Sequence, residues 1–174
     1  MSQSFVEGKI RFDFPEDWKV CRPEKSAFYA RQFQNFCGGS KEIDFLLLEP
    51  GPQTLWLLEV KDYTSSSRRK SLDLLDEIAL KARDVLALLM AGAANDPRPN
   101  RGVGAFMIEG GLPRKIRVVL HLEQPSKPSK LFPGAKIPVD FTQKLRQKLR
   151  CIDPHPTVVS TASPSVFWRS TWVP

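Results

Sequence analysis

The sequence predicts an α/β fold, a mixed central β-sheet flanked by helices, and three observations carry that reading. Two strongly apolar segments joined by a Pro-Gly turn run from Lys41 to Tyr63, KEIDFLLLEPGPQTLWLLEVKDY. A long amphipathic segment follows, SLDLLDEIALKARDVLALLMAGAAN. Strand-like and helix-like stretches then alternate toward the end, the order that lays helices against a sheet. The chain has 174 residues, 41% of them apolar. That is enough for one domain with a real core and short for two. The domain is read as residues 1–174, with a core spanning about 18–168.

The elements follow in order. FDFPEDWKVCRP holds a short apolar segment, Trp18 to Val20, read as a strand. RPEKSAFYARQFQNFCGG reads as a helix, with Pro23 near its start, Gly38 just past its end, and Tyr29, Phe33 and Phe36 on one stripe. A strand over Ala27 to Phe33 is the competing reading. Lys41–Tyr63 reads as a hairpin, its flanks too short and too closely bounded by turns for helices. SSSRRKS is a polar loop. The long helix repeats Leu75, Ala79, Ala82, Leu86 and Leu89 at spacings of three and four, and NDPRPNRG stops it. RKIRVVLHLE is a strand, QPSKPSKLFPGAKIP a Pro-rich loop, and DFTQKLRQKLRCI a short helix with Asp140 as N-cap. TVVSTA and SVFWRSTWV add a final strand or an ordered tail; Trp168 and Trp172 could stack on bases, but sealing the core is the better reading.

Several classes drop out. No apolar run approaches the roughly 18 residues of a membrane span. The start, MSQSFVEGKIRF, shows no basic segment followed by an apolar run, so no secretory signal is expected. Cys21, Cys37 and Cys151 are far apart and odd in number, which reads as scattered thiols in a reducing cytoplasm. His121 and His155 have no partner at metal-ligand spacing.

Charge is unevenly placed. The formal net charge is +7. Between Gly111 and Arg150 stand Arg114, Lys115, Arg117, Lys127, Lys130, Lys136, Lys144, Arg146, Lys148 and Arg150, against the acids Glu123 and Asp140 alone. This region reads as a cationic surface suited to a polyanion, nucleic acid being the usual one.

The hairpin sets a chemical problem. If it turns symmetrically about Gly51–Pro52, Asp44 faces Glu59 across the pair, roughly 5 Å apart at Cβ. Lys61 shares Glu59's face because side chains alternate with period two, and Glu42 faces Lys61. Two carboxylates so close repel and resist ionisation without a counter-charge. A divalent cation supplies one. Mg²⁺ (or Mn²⁺) takes oxygen ligands and keeps several waters, and the backbone carbonyl of Val60 is a further oxygen. Lys61 could then orient a metal-bound water. The alternative is a cross-strand ion pair at a strand end.

An Asp, a turn, then an apolar strand ending in Glu-x-Lys, here EIDFLLLEPGPQTLWLLEVKDY, resembles the PD-(D/E)XK nuclease superfamily and its restriction-endonuclease-like fold. The resemblance covers about residues 25 to 125, the bulk of a compact domain. It implies Mg²⁺-dependent phosphodiester hydrolysis of DNA, with RNA not excluded, by Asp44 and Glu59 as metal ligands and Lys61 as the catalytic lysine. Ile43 stands where the motif's proline would be. Members often add an acid from the first helix, for which Glu24 is the candidate and Glu7 the runner-up. Arg68, Arg69 and Lys70 in the polar loop read as nucleic-acid contacts. So do Lys144, Arg146 and Lys148, while Lys81 is either a phosphate contact or a solvated partner of Glu77. The superfamily also includes proteins that have lost catalysis, so a silent nucleic-acid-binding or scaffold protein is the competing expectation. An unrelated α/β domain, its triad a mere ion pair, is a third. Target recognition would fall to a homodimer or a protein partner.

Overall fold

A computed structural model describes residues 2–51, 53–64, 72–96, 102–125 and 137–173, with backbone alone for 108–110 and 137–139. The strands are β1 (Ser2–Glu7), β2 (Ile10–Pro15), β3 (Lys19–Cys21), β4 (Phe45–Glu49), β5 (Thr54–Asp62), β6 (Lys115–Glu123), β7 (Thr157–Val159) and β8 (Arg169–Trp172). The helices are α1 (Leu74–Asn95), α2 (Gly102–Gly110) and α3 (Ile137–Leu149). The five-stranded sheet runs β3-β4-β5-β6-β7 and is mixed. Its β3, β4 and β5 are antiparallel, and β5, β6 and β7 are parallel.

β5 lies at the centre of that sheet, and its sequence says why. Leu55 and Leu57 pack into one core with α1, α2 and α3, while Trp56 and Leu58 pack into a second on the opposite face. A run apolar at successive positions, as at Leu55–Leu58, is the signature of burial on both sides. The β4–β5 register, Phe45 on Leu58 through Glu49 on Thr54, is the one that a turn centred on Gly51–Pro52 predicts. Gly51 takes the turn's left-handed conformation at φ +78°.

Among the described residues, helices cover one face of this sheet. The other carries a small antiparallel sheet, β1-β2-β8, which the sequence reading did not assemble. Ile10, Phe12 and Phe14 of β2 alternate inward and meet Phe45, Trp18 and Trp168 in an aromatic cluster. Trp168 does seal this core, but Trp172 remains 43% exposed.

Other expectations shift. The helix expected after Pro23 breaks into a 3₁₀ turn at Pro23–Lys25, a π-helical turn at Tyr29–Phe33 and another 3₁₀ turn at Phe36–Gly38. The Gln34 N–H donates to the Tyr29 carbonyl, five residues back, a winding that buries Phe28, Tyr29 and Phe33 together. α1 is as expected and is capped by Asp73, whose side chain accepts the N–H groups of Leu75 and Asp76. α3 begins earlier than expected, so Asp140 lies in its first turn and is not its cap. No helix among the described residues is long and apolar enough to cross a membrane.

α2 went unread because its glycines argue against a helix, yet they are what lets it pack. A Cβ on Gly104 would stand 2.7 Å from the backbone oxygen of Gly92 in α1. Backbone cannot give way as a flexible side chain can. Gly104→Ala is therefore expected to cost about 1–3 kcal/mol through overpacking, read as a lower midpoint in urea unfolding. An unchanged midpoint would mean that the two helices do not approach there.

Candidate active site

The C-terminal end of β5 gathers the charged residues that the sequence singles out. Asp44 stands one residue before β4, and its Oδ2 accepts the Val60 N–H at 2.6 Å. Glu59 shares the face of Leu55 and Leu57, so its carboxylate points under α1 with no exposure to water. Two ammonium groups meet it there, Lys61 Nζ and Lys81 Nζ, each 2.6 Å from Oε1. Lys61 also approaches Glu77 of α1 at 3.6 Å. Glu77 and Lys81 lie four apart on α1, the spacing of a surface pair. Here both turn inward, Lys81 to Glu59 and Glu77 to Lys61.

The electrostatics follow from burial. Burial pushes the Asp44 carboxyl upward, and repulsion from Glu59 and Glu7 adds to it. Lys81 and the Val60 hydrogen bond pull the other way, leaving the carboxyl at about 7. Burial works to lower Lys61, but Glu59 in contact, with Glu77 and Asp44 beyond it, outweighs that and raises its pKa. The cluster thus combines a carboxyl that exchanges its proton near neutrality with two cations at the protein surface, 17% and 13% exposed.

Not every candidate joins it. Glu24 forms its ion pairs with Arg22 and Lys25. The acid that acts on Asp44 from the N-terminal segment is Glu7, itself bonded to Arg22. The helix-borne acid of the cluster is Glu77, which sequence reasoning placed on a solvated face. Its spacing four residues before Lys81 was the available signal. Glu42 accepts a hydrogen bond from the Tyr29 hydroxyl and does not pair with Lys61, because the β4–β5 ladder stops at Phe45. Arg68, Arg69 and Lys70 lie outside the described residues. Lys144 and Arg146 are exposed on α3, and Lys148 pairs with Asp76 of α1. Arg117 faces the opposite side of the sheet from α3 and pairs with Asp153 at 2.9 Å. Lys127, Lys130 and Lys136 lie outside the described residues, and the described part of the cationic stretch is divided between two faces.

Glu59 Oε2 is a buried acceptor with no hydrogen-bond partner among the described residues, and it stands beside a carboxyl whose charge Glu59 opposes. Two carboxylates fit Mg²⁺, which keeps most of its shell as water. Among the described residues no three acidic, histidine or cysteine side chains come together for a fuller protein cage.

No family model matches the chain. No solved structure matches it. It is similar to a cysteine–tRNA ligase of Neisseria meningitidis serogroup A, at 27% identity over 179 residues, covering 84% of this chain and 24% of the ligase. The chain spans about a quarter of the length of that relative. This likeness overturns the expectation of a DNA-cleaving nuclease. That expectation rested on three charged side chains and a turn, whereas the likeness runs over most of the chain and leads to a protein named for tRNA.

Asp44 provides a test of the cluster that needs no ligand. A carboxyl raised from 3.8 to about 7 by folding binds its proton more tightly in the folded state than in the unfolded one. Its contribution is most favourable below 3.8 and is lost as pH rises toward about 7. Asp44→Asn keeps an acceptor for the Val60 N–H and carries no charge. It should therefore melt higher than the parent above neutral pH, by about 2–4 °C for each kcal/mol recovered, and equal it in acid. Parallel melting curves for the two proteins across this range would mean that Asp44 is already ionised without penalty.

Proposed function

We propose that this chain is a tRNA-binding domain that serves aminoacyl-tRNA synthesis. The observation that carries the reading is the likeness, over 84% of the chain, to part of a cysteine–tRNA ligase. The charge distribution supports it. α3 buries Leu145 and Leu149 against the core and turns Lys144 and Arg146 outward, with Arg150 exposed just past its end. A helix face of this kind binds phosphate by releasing counterions, a term independent of sequence that positions a nucleic acid without reading it.

The placement of Asp44, Glu59 and Lys61 at one end of the central hairpin supports a restriction-endonuclease-like fold, used in this reading to hold tRNA. Mg²⁺ or Mn²⁺ belongs to the proposal, held by Asp44, Glu59 and the Val60 carbonyl. When bound, the ion offsets the repulsion between the two carboxylates. Adding Mg²⁺ should accordingly raise the melting temperature at neutral pH, and Asp44→Ala should abolish that rise. An equal rise in parent and variant would place the ion elsewhere.

The proposal is tested by fluorescence anisotropy with labelled unfractionated tRNA and with duplex DNA of similar charge. We expect tighter binding to tRNA and a steep fall in affinity with salt. Reversing Lys144, Arg146 and Arg150 to Glu should weaken tRNA binding at least about tenfold and flatten the salt slope by about 2–3. Lys148 is left in place because it ties α3 to Asp76. Equal affinity for tRNA and duplex DNA, or a salt slope untouched by the reversals, would overturn this reading.

A further inference from the structure

On the face of the five-stranded sheet away from the helices, a cavity of about 420 Å³ opens beside the edge strand β7. This volume lies within the range of small-molecule sites, about 300–1,000 Å³. Trp56, Phe167, Arg117 and His155 are among the residues that line it. None of them belongs to the carboxylate–lysine cluster, which sits at the other end of β5.

Arg117 is the informative member. One nitrogen of its guanidinium, Nη1, donates to Asp153 Oδ1. Asp153 is fully buried and accepts two further bonds, from the Val118 N–H and the His155 N–H. The carboxylate thus fixes the guanidinium from behind and is itself turned away from solvent. The remaining donors of Arg117 have no partner among the described residues, and the side chain lines the cavity. A guanidinium anchored at one edge with its other donors free is the arrangement that receives a phosphate or carboxylate oxygen.

The rim is apolar, and nothing in the fold accounts for it. Val166 is 91% exposed and Phe167 45% exposed. Phe167 leans on Trp56, with ring centroids 4.6 Å apart, so the ring is held in place while part of its surface remains open. A held aromatic surface beside a fixed cation suits a flat, aromatic anion. The setting narrows the choice further. β7 is flanked on one side by this cavity and on the other by α3, with its outward lysine and arginines. A nucleic acid lying on α3 would reach the cavity by passing round the sheet edge at β7.

We propose that the cavity receives one unpaired nucleotide of an RNA, its base against Phe167 and its phosphate on Arg117. Base stacking on an exposed aromatic ring tolerates any base, and Arg117 selects for the phosphate. The inference rests on the tRNA-binding reading for the identity of the polymer.

The test is calorimetric titration of the intact chain with AMP, adenosine and inorganic phosphate as separate probes, alongside the tRNA assay. AMP should bind at least about tenfold more tightly than adenosine or phosphate alone. Arg117→Gln should remove the advantage of AMP over adenosine. That variant leaves the buried Asp153 short of a partner and can fail to fold, so Phe167→Ala is the second one. Its side chain is part-exposed at the rim, and its loss should weaken AMP and adenosine alike by about tenfold while the protein still unfolds in one cooperative transition, its melting temperature lowered by only a few degrees. AMP binding no tighter than phosphate, or unaffected by Phe167→Ala, overturns the pocket. Retained tRNA binding with no AMP binding overturns the pocket alone. AMP binding that meets these criteria without tRNA binding supports the pocket and overturns the tRNA reading.

Discussion

A carboxylate without access to water has to be neutralised where it stands, and much of this structure is arranged around that requirement at Glu59. Taking the charge from water is costly by several kcal/mol, and the attraction of a partner only roughly repays it. Two ammonium groups from different elements converge on one oxygen of Glu59. Leaving one such buried charge unpaired costs about 3–5 kcal/mol. Sliding α1 by a turn along β5 would take Lys81 away from Glu59 and Glu77 away from Lys61, leaving Lys61 as the one ammonium on Glu59 among those described. The cluster therefore specifies which turn of the long helix lies on the central strand more than it adds stability.

The hydrophobic framework makes the same demand from the other direction. β5 can be buried on both faces only if each face finds a cover, and the two covers differ. Helices bring long aliphatic side chains to Leu55 and Leu57, and the small sheet brings phenylalanines and tryptophans to Trp56 and Leu58. Lys61 and Lys81 keep 17% and 13% of their side chains exposed while Glu59 between them has none. The polar cluster forms at the edge of the dry layer, where burial is deep enough to perturb Asp44 and shallow enough to leave both lysines within reach of solvent.

Much of this frame was legible in residue order. The hairpin register, the centrality of β5, the long helix, and the convergence of Asp44, Glu59 and Lys61 all follow from period-two alternation and one turn. What escaped had physical reasons. The alternation Ile10, Phe12, Phe14 was present, but its cover, β8, lies at the far end of the chain, and no local pattern announces such a pairing. α2 is rich in glycine for the sake of a close contact, which reads locally as a loop. Glu77 looked solvated because helix spacing alone does not say which polar residue finds a partner underneath. The cationic stretch is close in sequence, but β6 turns Lys115 and Arg117 toward one face of the sheet while α3 lies on the other. The activity read from the Asp, Glu and Lys pattern was the least secure step, because a short motif fixes a geometry more firmly than it fixes a substrate.

The five-stranded sheet ends in strands of three residues each, β3 on one side and β7 on the other. An edge that short offers few free backbone groups to a foreign strand. Two copies of the chain, or a copy and a neighbouring sheet in a longer polypeptide, have little to exchange along these borders. Both borders of the large sheet are thus poor templates for a foreign strand, and the longer free border of the molecule among the described residues is β1, at the edge of the small sheet.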